Sequence, residues 1–206
     1  MNDPFLQPTT AHRQRFFTQH RALLQDLAAN GQTPRALFVG CADSRLTPEL
    51  LLDAKPGEFF MLRNVANIIP PYVQTEIGIV SVLEFALLTL RIPHIIVMGH
   101  TDCGGLRGLD VQIDMAAQPA LSRWLDLARP AQREVDFKLR DLTPAARHIA
   151  IVEENVRLQL RNLESYPFVR TAVSAGTLQL HGWVYYLGEQ QLGYLDRETG
   201  KFRTAV

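Results

Sequence analysis

Cysteine is scarce in this chain, with only Cys41 and Cys103 among 206 residues. Two cysteines do not make a disulfide framework, so both thiols are expected reduced and free for metal or chemistry. A charge of one sign in excess is also missing, because Lys+Arg and Asp+Glu both number 21. No net field draws the chain to nucleic acid, an anionic membrane or a charged polymer, and a small molecule is the expected partner. No apolar run reaches the roughly 20 residues of a membrane span; the longest are broken by Arg91, Pro93 and His94. The first ten residues lack the charged-then-apolar pattern of an export signal. These absences together give the expectation of a cytoplasmic protein that touches neither membrane nor nucleic acid.

The remaining composition, 47% hydrophobic and 20% charged, is that of a soluble globular protein, and the length suits one core. Residues 11–29 place Phe16, Phe17, His20, Leu23, Leu24 and Leu27 on one stripe of a helix, which Asn30-Gly31 ends. Residues 1–31 are therefore expected to be an N-terminal helical arm. Ala36 to Gly40 is a buried strand with Cys41 at its end. Thr47-Pro48-Glu49 opens a helix, Glu58 to Leu62 is a second strand, residues 76–90 are a buried helix, and residues 94–99 form a third strand. Strand, helix, strand, helix, strand is the order of a parallel sheet with crossover helices. Residues 108–148, interrupted by Pro119, Pro130 and Pro144, are expected as a helical insertion on one side. A helix over Glu153 to Leu163 follows, then a short one near Phe168 to Ser174. A strand over Leu178 to Leu187 and a returning C-terminal edge strand complete the chain. The expectation is one α/β domain over residues 1–206, with a mostly parallel sheet of four strands plus that edge strand, flanked by helices.

Cys41 and the His100-Thr-Asp-Cys103 pair share a setting, each following a buried strand at its C-terminal end. In open parallel sheets that edge is where ligands bind. Two thiolates and one imidazole suit Zn2+ and fall one short of tetrahedral closure, leaving a fourth position for water or for a carboxylate such as Asp43. Asp43 and Arg45 are two apart, so in an extended loop they leave on one face and can pair, which keeps the carboxylate ionised and aimed. The other histidines show no such partners: His12, His20, His94 and His148 are expected at the surface, and His181 in a packing or hydrogen-bonding role.

Three segments, Cys41-Ala-Asp-Ser-Arg45, Arg63-Asn-Val-Ala-Asn67 and Gly99-His-Thr-Asp-Cys-Gly-Gly105, together resemble the β-class carbonic anhydrases. Pro70-Pro71-Tyr72, Gly105-Leu-Arg-Gly-Leu109, Tyr166-Pro-Phe-Val169 and His181-Gly-Trp183 continue the likeness, which is strongest toward the plant-type subset and spans about Gln32 to Tyr185. The resemblance implies one Zn2+ per chain on Cys41, His100 and Cys103, with Asp43 and Arg45 as the dyad beside it. Asp43 would be a fourth ligand in a closed state. It further implies Gln32 as a hydrogen-bond donor to substrate, Phe60, Val65 and Phe85 as apolar pocket walls, and the Gly104 backbone beside the metal loop. The pocket would form at the interface of a homodimer or higher homo-oligomer, with CO2 and bicarbonate as the molecules handled.

The implied activity is reversible hydration of CO2 through zinc-bound hydroxide, a carbonate dehydratase reaction. Ala42 stands where the family usually has serine, and Phe85 where tyrosine is common. Phe38 replaces the tryptophan of the inhibitory bicarbonate site found in some bacterial members, while Arg63 and Tyr185 occupy that site's other positions. Two alternatives keep the zinc: hydrolysis of a CO2-like molecule such as carbon disulfide, or a non-catalytic zinc-stabilised binding protein. A redox role for Cys41 and Cys103 fits poorly with their separation and with His100 between them.

Overall fold

The computed structural model describes residues 9–74, 76–111 and 113–205. The arm begins as α1 (Thr10–Gln19) and α2 (Arg21–Asn30) rather than one continuous helix. His20, at φ −105° and ψ 12°, breaks it. Apolar spacing does not register a single non-helical residue, which is why one stripe ran across the break. Neither helix buries a residue. The part of the expected arm before Thr9 lies outside the described residues.

β1 (Ala36–Cys41) is buried at every position, as a strand covered on both faces must be. Pro48 starts the single turn α3 (Pro48–Leu51) at the expected place, although the Thr47 hydroxyl makes no capping bond. β2 (Phe59–Asn64) pairs parallel to β1, with Cys41 opposite Asn64. Residues 76–90 divide into α4 (Ile77–Glu84) and a π-helical turn over Phe85–Thr89. The segment was expected to be buried, yet Ile77 is 89% and Leu88 59% exposed, and only Ile79, Leu83 and Ala86 are inside. An apolar sequence cannot distinguish a face turned to its own core from one turned outward.

β3 (His94–His100) lies beside β1 and carries His100 to the same edge as Cys41. α5 (Gly104–Arg107) follows at once, then α6 (Pro119–Asp126) and α7 (Arg129–Lys138). The next helix, α8 (Pro144–Glu164), starts nine residues before the expected Glu153. Pro144 sits in its first turn, where a missing N–H costs nothing, and Thr143 caps it by accepting from the Ala146 N–H at 3.3 Å. The proline that was counted as an interruption of residues 108–148 is thus a helix start. α8 lies close on the sheet because Gly99 leaves room: a Cβ there would meet Val156 at 2.9 Å.

α9 (Pro167–Ser174) leads to β4 (Gln179–Tyr186), parallel to β3. β5 (Gln191–Leu195) and β6 (Phe202–Thr204) then add antiparallel. The sheet order is β2-β1-β3-β4-β5-β6, four parallel strands followed by two antiparallel ones, of which β6 is the edge, where a single C-terminal edge strand was expected. Among the described residues no helix is long and apolar enough to cross a membrane.

Candidate metal centre

Cys41 ends β1, His100 ends β3, and Cys103 stands just before α5, so two neighbouring strand ends and the loop after one of them converge. All three side chains are buried, and their ligand atoms lie within 4.8 Å of one another. The two sulfurs are 3.9 Å apart, close to the roughly 3.8 Å that two ligands at about 2.3 Å subtend at a tetrahedral metal. His100 Nδ1 is 2.9 Å from the Thr101 carbonyl, which takes the ring proton and leaves the lone pair on Nε2. That Nε2 is buried and has no hydrogen-bond partner. A buried, unsatisfied nitrogen facing two thiols is the signature of a ligand set, and a Cys2His donor set fits zinc.

The Cys41 thiol is lowered well below its ordinary range, chiefly by the hydrogen bond from Cys103, against burial, and with help from His100 and the Asp43 and Ala66 backbone. Cys103 is pushed up by that same bond and by burial, and backbone N–H groups of Leu106 and Gly105 partly offset this. The Ala66 N–H donates to Cys41 Sγ at 3.3 Å.

Asp43 follows on the loop after β1. Arg45 donates to it three times: its backbone N–H and Nε–H to Oδ1, each at 2.9 Å, and Nη2 to Oδ2 at 2.7 Å. These bonds hold the carboxyl well below the usual carboxylate range. Its Oδ2 is 3.8 Å from His100 Nε2, near the centre while paired with Arg45. Arg45 also donates to the Asp102 carbonyl at 2.9 Å and so ties together the loops after β1 and β3.

A second arginine holds the same loop. Arg63 donates to the carbonyls of Cys41 at 3.0 Å and of Asp43 and Leu46 at 2.8 Å each. The sequence placed Arg63 inside a matching motif and at a position of the inhibitory bicarbonate site, and no spacing signal indicates that its partners are three carbonyls some twenty residues earlier.

The pocket residues divide. Val65 and Gly104 are beside the centre: a Cβ on the neighbouring Gly105 would meet Val65 Cγ1 at 2.8 Å and Ala66 Cβ at 3.1 Å, so only glycine lets the metal loop lie this close. Phe60 sits opposite Leu37, four residues before Cys41 and hence roughly 13 Å down the strand. Its ring packs on Phe85 at 5.7 Å. Gln32 precedes β1 altogether. These three residues are at the opposite end of β1 from the chain's own metal ligands.

Two histidines depart from expectation. His148 is buried at 6% exposure with an unpartnered Nε2, because α8 begins early enough to bring it into the interior. His94 is not alone: its Nδ1 lies 3.2 Å from His181 Nε2, giving His181 the hydrogen-bonding role expected of it. Adjacent parallel strands bring together residues 87 apart, which no local pattern reveals.

A family model described as "Carbonic anhydrase" matches residues 36–192. A curated carbonic anhydrase from Pseudomonas aeruginosa is 38% identical over 182 residues, covering 88% of this chain and 82% of the relative. Carbonic anhydrase 1 of Escherichia coli O157:H7 is 37% identical over 186 residues, covering 90% and 84%. Among solved structures, the β-carbonic anhydrase CcaA superposes with a TM-score of 0.90 at 33% identity, over 98% of both chains. One of two structures described as tetrameric β-carbonic anhydrases from Sordaria macrospora gives 0.82 at 30% identity, over 92% and 94%.

Proposed function

The chain belongs to the carbonic anhydrase family, in its β class, and from that premise we propose that it catalyses the reversible hydration of carbon dioxide to bicarbonate with one zinc ion on Cys41, His100 and Cys103. The observation that carries this reading is the buried, unpartnered His100 Nε2 facing two sulfurs 3.9 Å apart, with a carboxylate fixed by arginine at its side. Zinc, when bound, supplies the Lewis acidity that makes water a nucleophile near neutral pH.

The chain's own residues do the rest. Cys41 and Cys103 bring two negative charges, which temper that acidity relative to neutral imidazole ligands, so turnover rises with pH. Arg45 occupies both oxygens of Asp43 and points the remaining lone pairs, so the carboxylate accepts a hydrogen bond from the attacking water and orients it. The same pairing favours the open form, because Asp43 would have to leave Arg45 to become a fourth ligand. Val65 walls one side of the site.

A second copy of the chain is the source of the missing walls. Gln32, Phe60 and Phe85 are remote from their own Cys41, and a neighbour in a homo-oligomer would bring them to it. The tetrameric description of a Sordaria relative is consistent with such an assembly. In that arrangement Gln32 donates to the developing bicarbonate, and Phe60 and Phe85 hold CO2 against apolar surface.

Stopped-flow CO2 hydration on zinc-quantified protein tests this. Rates well above buffer at pH above 8 are expected, and protein carrying one zinc per chain without detectable hydration would overturn the reading.

A further inference from the structure

The Ala66 N–H that reaches Cys41 Sγ belongs to a backbone in an unfavourable conformation. Ala66 has φ 62° and ψ 25°, the left-handed region that is unfavourable for a residue with a Cβ. Such a conformation persists only where its surroundings enforce it. Here both peptide planes flanking Ala66 are held by a side chain from a different helix.

Trp124, on α6, donates its indole Nε1–H to the Val65 carbonyl at 2.8 Å. That carbonyl and the Ala66 N–H are two ends of one rigid peptide plane. Asn155, on α8, donates Nδ2–H to the Ala66 carbonyl at 3.1 Å and so holds the next plane. Asn155 is itself locked, because Gln159 Nε2 donates to its Oδ1 at 2.7 Å. Gln159 Oε1 in turn accepts from the Ile69 N–H at 2.8 Å, and Asn162 Nδ2 donates to the Ile69 carbonyl at 2.8 Å. Asn155, Gln159 and Asn162 fall on one face of α8 at spacings of four and three.

Asn155 and Gln159 have no exposure at all. Amides buried that deeply are costly unless fully bonded, and leucine would fill the same space without that demand. Their partners are the backbone of the segment that presents the N–H to the sulfur.

We propose that Trp124 and Asn155 are positioning residues for the zinc thiolate: together they fix the peptide planes around Ala66 so that its N–H stays on Cys41 Sγ and strengthens metal retention there. A thiolate that also accepts an N–H bond gives less charge to its metal but is held in place, and outer partners of this kind change metal affinity by about 10-fold or more when removed. The proposal rests on Cys41 being a zinc ligand. It also gives α6, in the expected insertion, a part in building the metal centre.

Trp124→Phe keeps an aromatic ring and removes the indole N–H, and Asn155→Leu keeps the branched outline of the side chain and removes its donor. Zinc dissociation constants from chelator competition are expected to rise about tenfold in each, with a shift of the thiolate-to-metal charge-transfer band in the Co2+-loaded protein. Tyr166→Phe is the control, since it removes a buried hydrogen bond to the Pro70 carbonyl in the same segment without touching Ala66. Zinc affinity and band position equal to wild type in the folded variants, or shifted equally in the control, overturn the proposal. A measurement on the unmutated chain does not depend on the variants folding: loaded with 113Cd, it should show scalar coupling from the metal to the Ala66 amide proton. Stoichiometric cadmium without that coupling overturns this proposal alone, whereas failure to bind zinc or cadmium at Cys41 overturns the zinc reading with it.

Discussion

Asp43 and Arg45 are joined by three hydrogen bonds from a single arginine, one from its backbone and two from its guanidinium. The carboxylate is thus held ionised and aimed, with both of its oxygens engaged by Arg45. Asp43→Ala should therefore keep one zinc per chain while CO2 hydration falls by about 100-fold or more. Loss of zinc in this variant, measured by metal analysis after gel filtration, would make Asp43 a ligand instead. Arg45→Ala should return the carboxyl toward its ordinary range and free it to approach the metal, lowering activity most at acidic pH.

Arg63 predicts a different phenotype. Its three acceptors are the carbonyls of Cys41, Asp43 and Leu46, so it shapes the loop that carries both a ligand and the carboxylate. Arg63→Met leaves three carbonyls without their donor, and Arg63→Lys offers one ammonium where a planar fork spans them. Both variants should lose hydration activity about 10-fold and release zinc faster to a chelator, with lysine no better than partial rescue. Wild-type zinc retention in Arg63→Met would show that the loop holds its shape unaided.

The metal ligands were legible because each follows a strand that reads as buried, and strand ends in a parallel sheet share an edge. Asp43 and Arg45 were legible because they are two apart. Trp124, Asn155 and Gln159 were not: Trp124 acts on Val65, 59 residues away, and Asn155 on Ala66, 89 away. On α8 the amides interrupt an apolar pattern and give no hint of what they hold. The early start of α8 was hidden for a related reason, since Pro144 reads equally as a breaker and as a first-turn residue. β6 is three residues long and too short to show alternation. Gln32, Phe60 and Phe85 came from resemblance alone, and one chain does not bring them to its own centre.

His148 sets an acid limit on stability. Burial lowers its pKa, with Arg107 acting in the same direction and Asp102 and Asp110 opposing. The folded chain therefore favours neutral His148, while the unfolded chain protonates it at about 6.5. Below that value the unfolded state binds more protons, so stability falls with pH until the lower folded value is passed, and no further from this group. Thermal midpoints from pH 7.5 to 5 should decline in the wild-type chain and decline less in His148→Leu. Parallel curves for the two proteins would assign the acid loss to other groups.

The outward face of α4 and its π turn connects the remote walls to assembly. Ile77 is 89%, Phe85 44% and Leu88 59% exposed, an apolar strip on a chain whose Phe60–Phe85 pair sits far from its own metal ligands. If a second copy covers this strip, assembly and activity depend on the same residues. Ile77→Asp places a charge in the strip without altering the metal ligands, Asp43 or Arg45. Light scattering should then show a fall in mass toward the 23.2 kDa of one chain. Hydration should drop more than 10-fold while zinc stays at one per chain, because the lost residues are Gln32, Phe60 and Phe85 of the neighbour. A dissociated but fully active Ile77→Asp would mean that one chain completes its own site. An assembled and active variant would move the contact to another face.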